Sequence, residues 1–207
     1  MTATRQRLTR EQRRQQLLDT AETLFVSQGY ESTTMDDVAR AAGVTRAVVY
    51  AHFANREQIL LEGVRRAHEE LDRRLSALAA HTDATVPVEE VVTRGGDLFF
   101  EMLESVPSRW ALLFAPIVGN APDTVARLPE MRRATIMRIV DVGLRLQPDV
   151  HPQQIEAVAY MLSGLGEQLG RWWLTQPDVP RSQVVDYYRD FVVNGTSSLV
   201  RSNPPRA

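Results

Sequence analysis

A chain of 207 residues, with 24 basic and 26 acidic side chains and no cysteine, is the size of one domain or of a small head on a larger body. Apolar residues at 43% and charged residues at 24% match ordinary globular usage and exclude a disordered chain. The missing cysteines exclude a disulfide framework, a thiolate-held zinc or iron–sulfur site and a thiol nucleophile. The uncharged stretch from Trp110 to Pro122 is 13 residues long, against the roughly 20 a membrane span needs. No long apolar run follows the first basic residues, so no signal peptide is expected, and a soluble, cytoplasmic protein without membrane partners is. The net charge of −2 hides an asymmetry: residues 1–66 hold 10 arginines against 8 acids, while residues 67–207 hold 14 against 18. Arg5, Arg7, Arg10, Arg13 and Arg14 face only Glu11, an arm suited to a polyanion. All basic residues are arginine, which reads mainly as compositional bias.

Helical periodicity runs through nearly every segment, and no alternating strand is convincing. Leu17, Ala21, Leu24 and Phe25 share one face of a first helix, opened by Thr9 and Gln12 at capping-box spacing and stopped by Gly29. Thr34 with Asp37 repeats the signal before a short helix, Met35 to Ala42, which Gly43 terminates. Thr45 can cap a third piece reaching about Phe53, and Asn55, with Gln58 three residues on, a fourth. The fourth carries Leu60, Val64, Ala67, Leu71, Leu75 and Leu78 along about six turns. Prolines then punctuate the chain. A proline in a helix interior costs about 3 kcal/mol, so Pro87, Pro107, Pro116, Pro122, Pro129, Pro148, Pro152, Pro177 and Pro180 are expected at ends and first turns. Between them lie helices near 87–104, 108–119, 125–146, 152–175 and 181–200. The fold class is therefore all-α, with about nine helices: a head over residues 1–54, a connecting helix over 55–81, and a body over 82–207.

Thr34 to Phe53 reads as helix, tight turn, helix, with Gly43 where the backbone must take positive φ. The second helix, Thr45 to His52, would be about 12 Å long. That length matches a DNA major groove about 12 Å wide. Its exposed first turn offers Arg46, able to bind guanine O6 and N7 together, and the small apolar Ala47 and Val48, able to touch a thymine methyl.

Thr33-Thr34-Met35-Asp36-Asp37-Val38-Ala39, Ala42-Gly43-Val44-Thr45, then Tyr50, His52, Phe53, Asn55 and Arg56 resemble the DNA-binding head of the tetracycline-repressor (TetR) family. The resemblance is close over about residues 10–65; beyond them it rests on length, helix count and the two hydrophobic last helices. It implies a helix-turn-helix head on a variable body that binds a small molecule and dimerises through its last two helices. It also implies a phosphate contact for the Thr34 hydroxyl, a DNA-backbone contact for the Tyr50 phenol, a DNA-contacting position for His52, and a phosphate grip for Arg56, where the family usually has lysine. Thr45 would cap the recognition helix. Ala51 departs from the aromatic that many members carry there, and Phe53 reads as core.

Other constellations carry less. Gly164-Leu165-Gly166-Glu167-Gln168-Leu169-Gly170 fails the dinucleotide-binding spacing and follows no strand. Ser163, Gly166 and Gly170, with Tyr188, Phe191 and Gly195, instead suit a seam between two copies of the chain. His68 and Asp72 are better read as a solvated helical face than as metal ligands, and no catalytic residues, cofactor or metal site are expected. Phe99, Phe100, Met102, Leu103, Trp110, Phe114, Met137, Tyr160 and Met161, with the acid Glu167, suit either a small-molecule pocket or ordinary core. The expected function is a ligand-responsive transcriptional repressor. As a homodimer it would bind a double-stranded, palindromic operator and be released by a small apolar or amphipathic effector. The alternatives are an activator, a nucleoid-type protein, or a small-molecule enzyme or carrier on a helical bundle.

Overall fold

The computed structural model describes residues 8–114 and 122–201, with side chains inside the helices described up to 110 and from 129 to 195. Helix α1, Arg10–Gln28, opens on a complete capping box: Gln12 N–H donates to Thr9 Oγ1 at 3.2 Å and Thr9 N–H to Gln12 Oε1 at 2.9 Å. It ends at Gly29, whose φ of 88° suits a residue without Cβ. Helix α2, Met35–Ala41, has the same box between Thr34 and Asp37. Gly43, at φ 66°, then turns the chain into α3, Arg46–Tyr50.

Helix α3 is shorter than the sequence suggests. Five residues span about 7.5 Å rather than 12 Å. The Thr45 side chain makes no capping bond, which corrects its expected role. At the far end, His52 N–H and Phe53 N–H both donate to the Val49 carbonyl at 3.0 Å, closing the helix while Phe53 turns into the core at 1% exposure.

Helix α4, Arg56–Ala80, starts with Asn55 Oδ1 accepting from Gln58 N–H at 2.8 Å; the Gln58 amide reaches one residue further back, to Ala54 N–H at 2.6 Å. The early turns of α4 place Ile59, Leu60 and Val64 in the head core with Leu17, Leu18, Ala21, Phe25, Val38 and Val49. Its later turns place Ala67, Leu71 and Leu75 in a separate body core. One rod thus belongs to both cores.

The body adds α5 (Val88–Ser105), α6 (Pro107–Phe114), α7 (Pro122–Leu146), α8 (Pro152–Trp173) and α9 (Arg181–Arg201), giving nine helices among the described residues. Pro129 lies inside α7, correcting the expectation that every proline marks an end or first turn. It removes one backbone hydrogen bond, and the helix runs through it toward a stretch that packs against α4 and α8, where Ile136 and Val140 meet Ile155 and Ala159. Helices α5 and α9 approach closely: a Cβ on Gly96 would lie 2.9 Å from the Tyr188 ring. No helix among the described residues is long and apolar enough to cross a membrane.

Candidate nucleic-acid interface

Val49 is fully buried and fixes α3 against the head, which leaves Thr45, Arg46, Ala47 and Tyr50 exposed and Val48 half-exposed on the outward side. The Arg46 side chain is 61% exposed. Its Nη1 donates to Asp36 Oδ2 at 3.1 Å, its Nη2 to the Tyr50 hydroxyl at 3.3 Å, and its guanidinium lies 5.2 Å from the Tyr50 ring centroid. Thr34 is exposed at the start of α2, where its hydroxyl donates to Asp37 Oδ2 at 2.6 Å. That bond, the Thr34 N–H and Arg40 hold the Asp37 carboxyl below its usual value.

His52 sits beyond the end of α3, beside the start of α1. With Arg10, Glu11 and Arg14 it lines a cleft of about 420 Å³. Arg14 reaches across, Nη1 donating to the His52 carbonyl at 2.7 Å, with its guanidinium stacked 4.3 Å from the Phe53 ring centroid. Desolvation, then the cations of Arg10, Arg14 and Arg13, push the His52 imidazole below its ordinary value against a smaller opposing pull from Glu11. Arg5 and Arg7 of the arm lie outside the described residues.

Arg56 is placed differently from the expected phosphate grip. Its Nη1 donates to the Tyr30, Glu31 and Thr33 carbonyls at 3.2, 2.7 and 3.4 Å, its Nη2 to Glu31 Oε2 at 2.8 Å, and its guanidinium lies 4.6 Å from the Tyr30 ring centroid. The α1–α2 turn gathers acceptors that the planar fork satisfies together, so Arg56 clamps that turn.

In the body, Phe100, Met102, Leu103 and Trp110 are at most 1% exposed and form core. The Phe100 ring meets Trp173 and Tyr188, both with centroids at 5.8 Å and near-perpendicular planes. Phe99 is partly buried beside Gly166, whose Cβ position is 3.5 Å from its ring. Met137, Tyr160 and Met161 do not line an interior space: they are 40%, 46% and 52% exposed, because α7 and α8 turn Ile136, Val140, Ile155 and Ala159 inward instead. Phe114 lies outside the described side chains. Glu167 is half-buried, accepting from the Ser163 hydroxyl at 3.2 Å and paired with Arg132 at 2.9 Å; burial pushes its carboxyl up and Arg132 pulls it back.

Of the residues expected at the seam, Gly166 and Gly170 are buried within the chain, Gly166 beside Phe99, and Tyr188 packs on Gly96, while Ser163 is half-buried and bonds Glu167 of its own helix. Phe191 at 68% exposure and the exposed Gly195 lie outside, beside Tyr187 and Trp172, whose rings are 6.5 Å apart across α9 and α8. His68 is not on a solvated face: its Nδ1 is 2.9 Å from Thr135 Oγ1 between α4 and α7, and Asp72 pairs separately with Arg138 at 2.6 Å. Burial, then Arg132, push the His68 imidazole below its ordinary value. Among the described residues no cluster could hold a metal ion.

A charged junction joins head and body through residues far apart in the sequence. Glu22 of α1, 1% exposed, accepts at both oxygens from Arg66 Nη2 of α4 at 2.7 Å and from Arg109 Nε of α6 at 3.4 Å. Asp19 accepts from Arg66 at 2.5 Å and from Arg109 at 3.3 Å, and Gln15 from Arg66 at 2.7 Å. The available signal was Glu22 itself, an acid four residues from Leu18 on the apolar face of α1.

Residues 17–62 match the family described as "Bacterial regulatory proteins, tetR family". The chain is 26% identical over 194 residues to the HTH-type transcriptional activator FasR of Mycolicibacterium smegmatis, covering 93% of this chain and 87% of that one. It is also 26% identical over 191 residues to the HTH-type transcriptional repressor KstR2 of Rhodococcus jostii, covering 90% and 92%. Among solved structures, PfmR from Thermus thermophilus, described as a TetR family transcriptional regulator, superposes with a TM-score of 0.70 at 21% identity over 86% of this chain and 97% of that one.

Proposed function

Because the chain belongs to the TetR family of bacterial transcriptional regulators, we propose that it binds a near-palindromic operator as a homodimer, represses transcription there, and is released by a small apolar or amphipathic effector. It is a regulator and not an enzyme. Two heads related by a two-fold axis would meet half-sites about 34–36 Å apart, or a multiple of that. Arg46, Ala47 and Val48 read base edges; Thr34, Thr45, Tyr50 and His52, with Arg10 and Arg13, hold phosphates and set register. The observation that supports this best is the outward face of α3. Val49 alone is spent on the core, while Arg46 and Tyr50 remain at the surface.

For the partner copy, the outer face carrying Trp172, Tyr187, Phe191 and Gly195 is the surface of choice, since exposed aromatic side chains on two adjacent helices favour association. The effector enters the body, where the partly buried Phe99 and the Glu167–Arg132 pair supply an apolar wall and a polar end. An effector that prefers a body shape with displaced heads lowers DNA affinity by its differential binding energy, typically 1–3 kcal/mol.

The test is a selection of bound duplexes from a randomised pool, followed by footprinting and by a thermal-shift panel of apolar and amphipathic compounds. Expected are an inverted repeat and at least one compound that both stabilises the protein and lowers its affinity for that repeat. A bound pool without any sequence preference would overturn the reading. A second reading, activation, draws on the 26% identity to the activator FasR, which the repressor KstR2 equals; a footprint upstream of the promoter elements rather than over them would select it.

A further inference from the structure

Adjacent acids at the start of α2 have different work. Asp37 completes the Thr34 capping box and also meets Arg40 at 3.0 Å, so the fold uses it fully. Asp36 makes no capping hydrogen bond; as a first-turn acid of α2 it adds only a modest interaction with the helix N-terminus. Its carboxylate instead crosses the turn to Arg46 on α3, at 3.1 Å, with 50% of its side chain exposed. A pair this exposed contributes little to stability, and an acid on the face that meets DNA repels phosphate. The contact that sets Asp36 apart from Asp37 is the one it makes with Arg46.

An arginine on a long flexible stem sweeps many orientations, whereas bidentate guanine recognition needs one plane. Here the guanidinium is held at two nitrogens, Nη1 by Asp36 and Nη2 by the Tyr50 hydroxyl, with the Tyr50 ring beside it. Five N–H donors are available on the fork, so two fixed bonds leave others for a base. We propose that Asp36 is a positioning residue for base recognition: with Tyr50 it orients the Arg46 guanidinium, and its negative charge penalises duplexes that offer only phosphate. This rests on the assignment of Arg46 as a base reader.

The experiment is sequencing of duplexes bound by the full chain from a randomised pool, for the wild type, Arg46→Ala, Asp36→Asn, Asp36→Glu and Tyr50→Phe, with salt titrations on a scrambled duplex. Arg46→Ala should erase the preference at one guanine column. Asp36→Asn should weaken that same column by about fivefold, tighten binding to the scrambled duplex, and lower the thermal midpoint by no more than about 4 °C; Asp36→Glu should restore part of the preference. If Asp36→Asn leaves the guanine column intact, or weakens all duplexes equally, the positioning role is overturned. If it alters a different column, Asp36 contacts a base itself and the positioning role likewise falls. If Arg46→Ala changes no column, the base-reading assignment fails first, and the proposal with it.

Discussion

Glu22→Ala tests the least expected feature of the molecule. The Glu22 carboxylate is 1% exposed and takes both of its strongest hydrogen bonds from Arg66, at 2.7 Å. Arg66 and Arg109 are each 19% exposed. Removing one partner of a buried ion pair typically costs about 3–5 kcal/mol, because the other charge is left without compensation. Here Asp19 and Gln15 still bind Arg66, so the expectation falls to about 2–3 kcal/mol. For a chain of this size that lowers the melting midpoint by about 4–12 °C. Glu22→Gln should behave differently. Burial is the largest influence on the Glu22 carboxyl and pushes it up, against the pull of Arg66 and Arg109. An amide avoids that desolvation and keeps an acceptor for Arg66, so its loss should stay under about 1 kcal/mol at neutral pH. The pH sign follows. With the folded carboxyl above its unfolded value of 4.5, the wild-type contribution is full below that value and declines as pH rises through the folded value, a slope that Glu22→Gln should lack. Urea and thermal unfolding at fixed protein concentration read both. If Gln cost as much as Ala, attraction rather than desolvation would dominate the junction; if Ala cost under about 1 kcal/mol, the junction would be no stronger than a surface pair.

Arg56→Ala should lower head stability by about 1–2 kcal/mol, since charge-assisted bonds to the α1–α2 turn disappear from a side chain about one-third exposed. The slope of log affinity against log salt should stay as in the wild type; a slope lower by about one would restore a phosphate role. His68, pushed below its ordinary value, should make folding less favourable as pH falls below about 6.5, because the unfolded chain then takes up a proton that the folded chain refuses. His68→Gln should flatten that part of a pH–stability curve measured by urea unfolding. On duplex DNA, phosphate should raise the His52 imidazole from its depressed value among Arg10, Arg13, Arg14 and Glu11, so affinity should increase on acidification and His52→Gln should blunt the increase. Phe191→Glu places a charge on the most exposed aromatic of α9 and should shift the chain toward monomer in sedimentation, with unchanged helix content by circular dichroism.

What could be read from the residues was local. The capping boxes at Thr9 and Thr34 join groups three residues apart, and the positive φ of Gly29 and Gly43 follows from the chain's need to leave one helix and enter the next. The head core was legible because α1 has a single apolar stripe. Helix α8 has more than one: Ile155, Ala159, Gly166 and Gly170 go inward, while Tyr160, Met161 and Trp172 stay outside. Hydrophobicity marks both sets alike, so the sequence does not tell the inward residues of α8 from the outward ones. The clamp made by Arg56 was hidden because three of its acceptors are backbone carbonyls, which every residue carries. The partners of Glu22 lie 44 and 87 residues away, beyond any spacing rule.

The position of Arg109 gives the junction its consequence for regulation. On α6, Arg109 points to the α1 acids while its neighbour Trp110 is 1% exposed in the body core. Head and body are therefore joined through α4, which carries side chains in both cores, through Arg109 on α6, and through Met131 of α7, which packs on the head core. A single rod would let the head swing about its own axis with little resistance. The contacts from α6 and α7 restrict that freedom, and a rearrangement around Trp110 would either carry α1 with it or separate Arg109 from Glu22 and Asp19. The first outcome would move α3 with α1, and the second would free the head to turn about α4. Under the proposed release by an effector, a ligand bound far from the DNA would need no long chain of contacts; a change in the packing of the residue next to Arg109 would suffice.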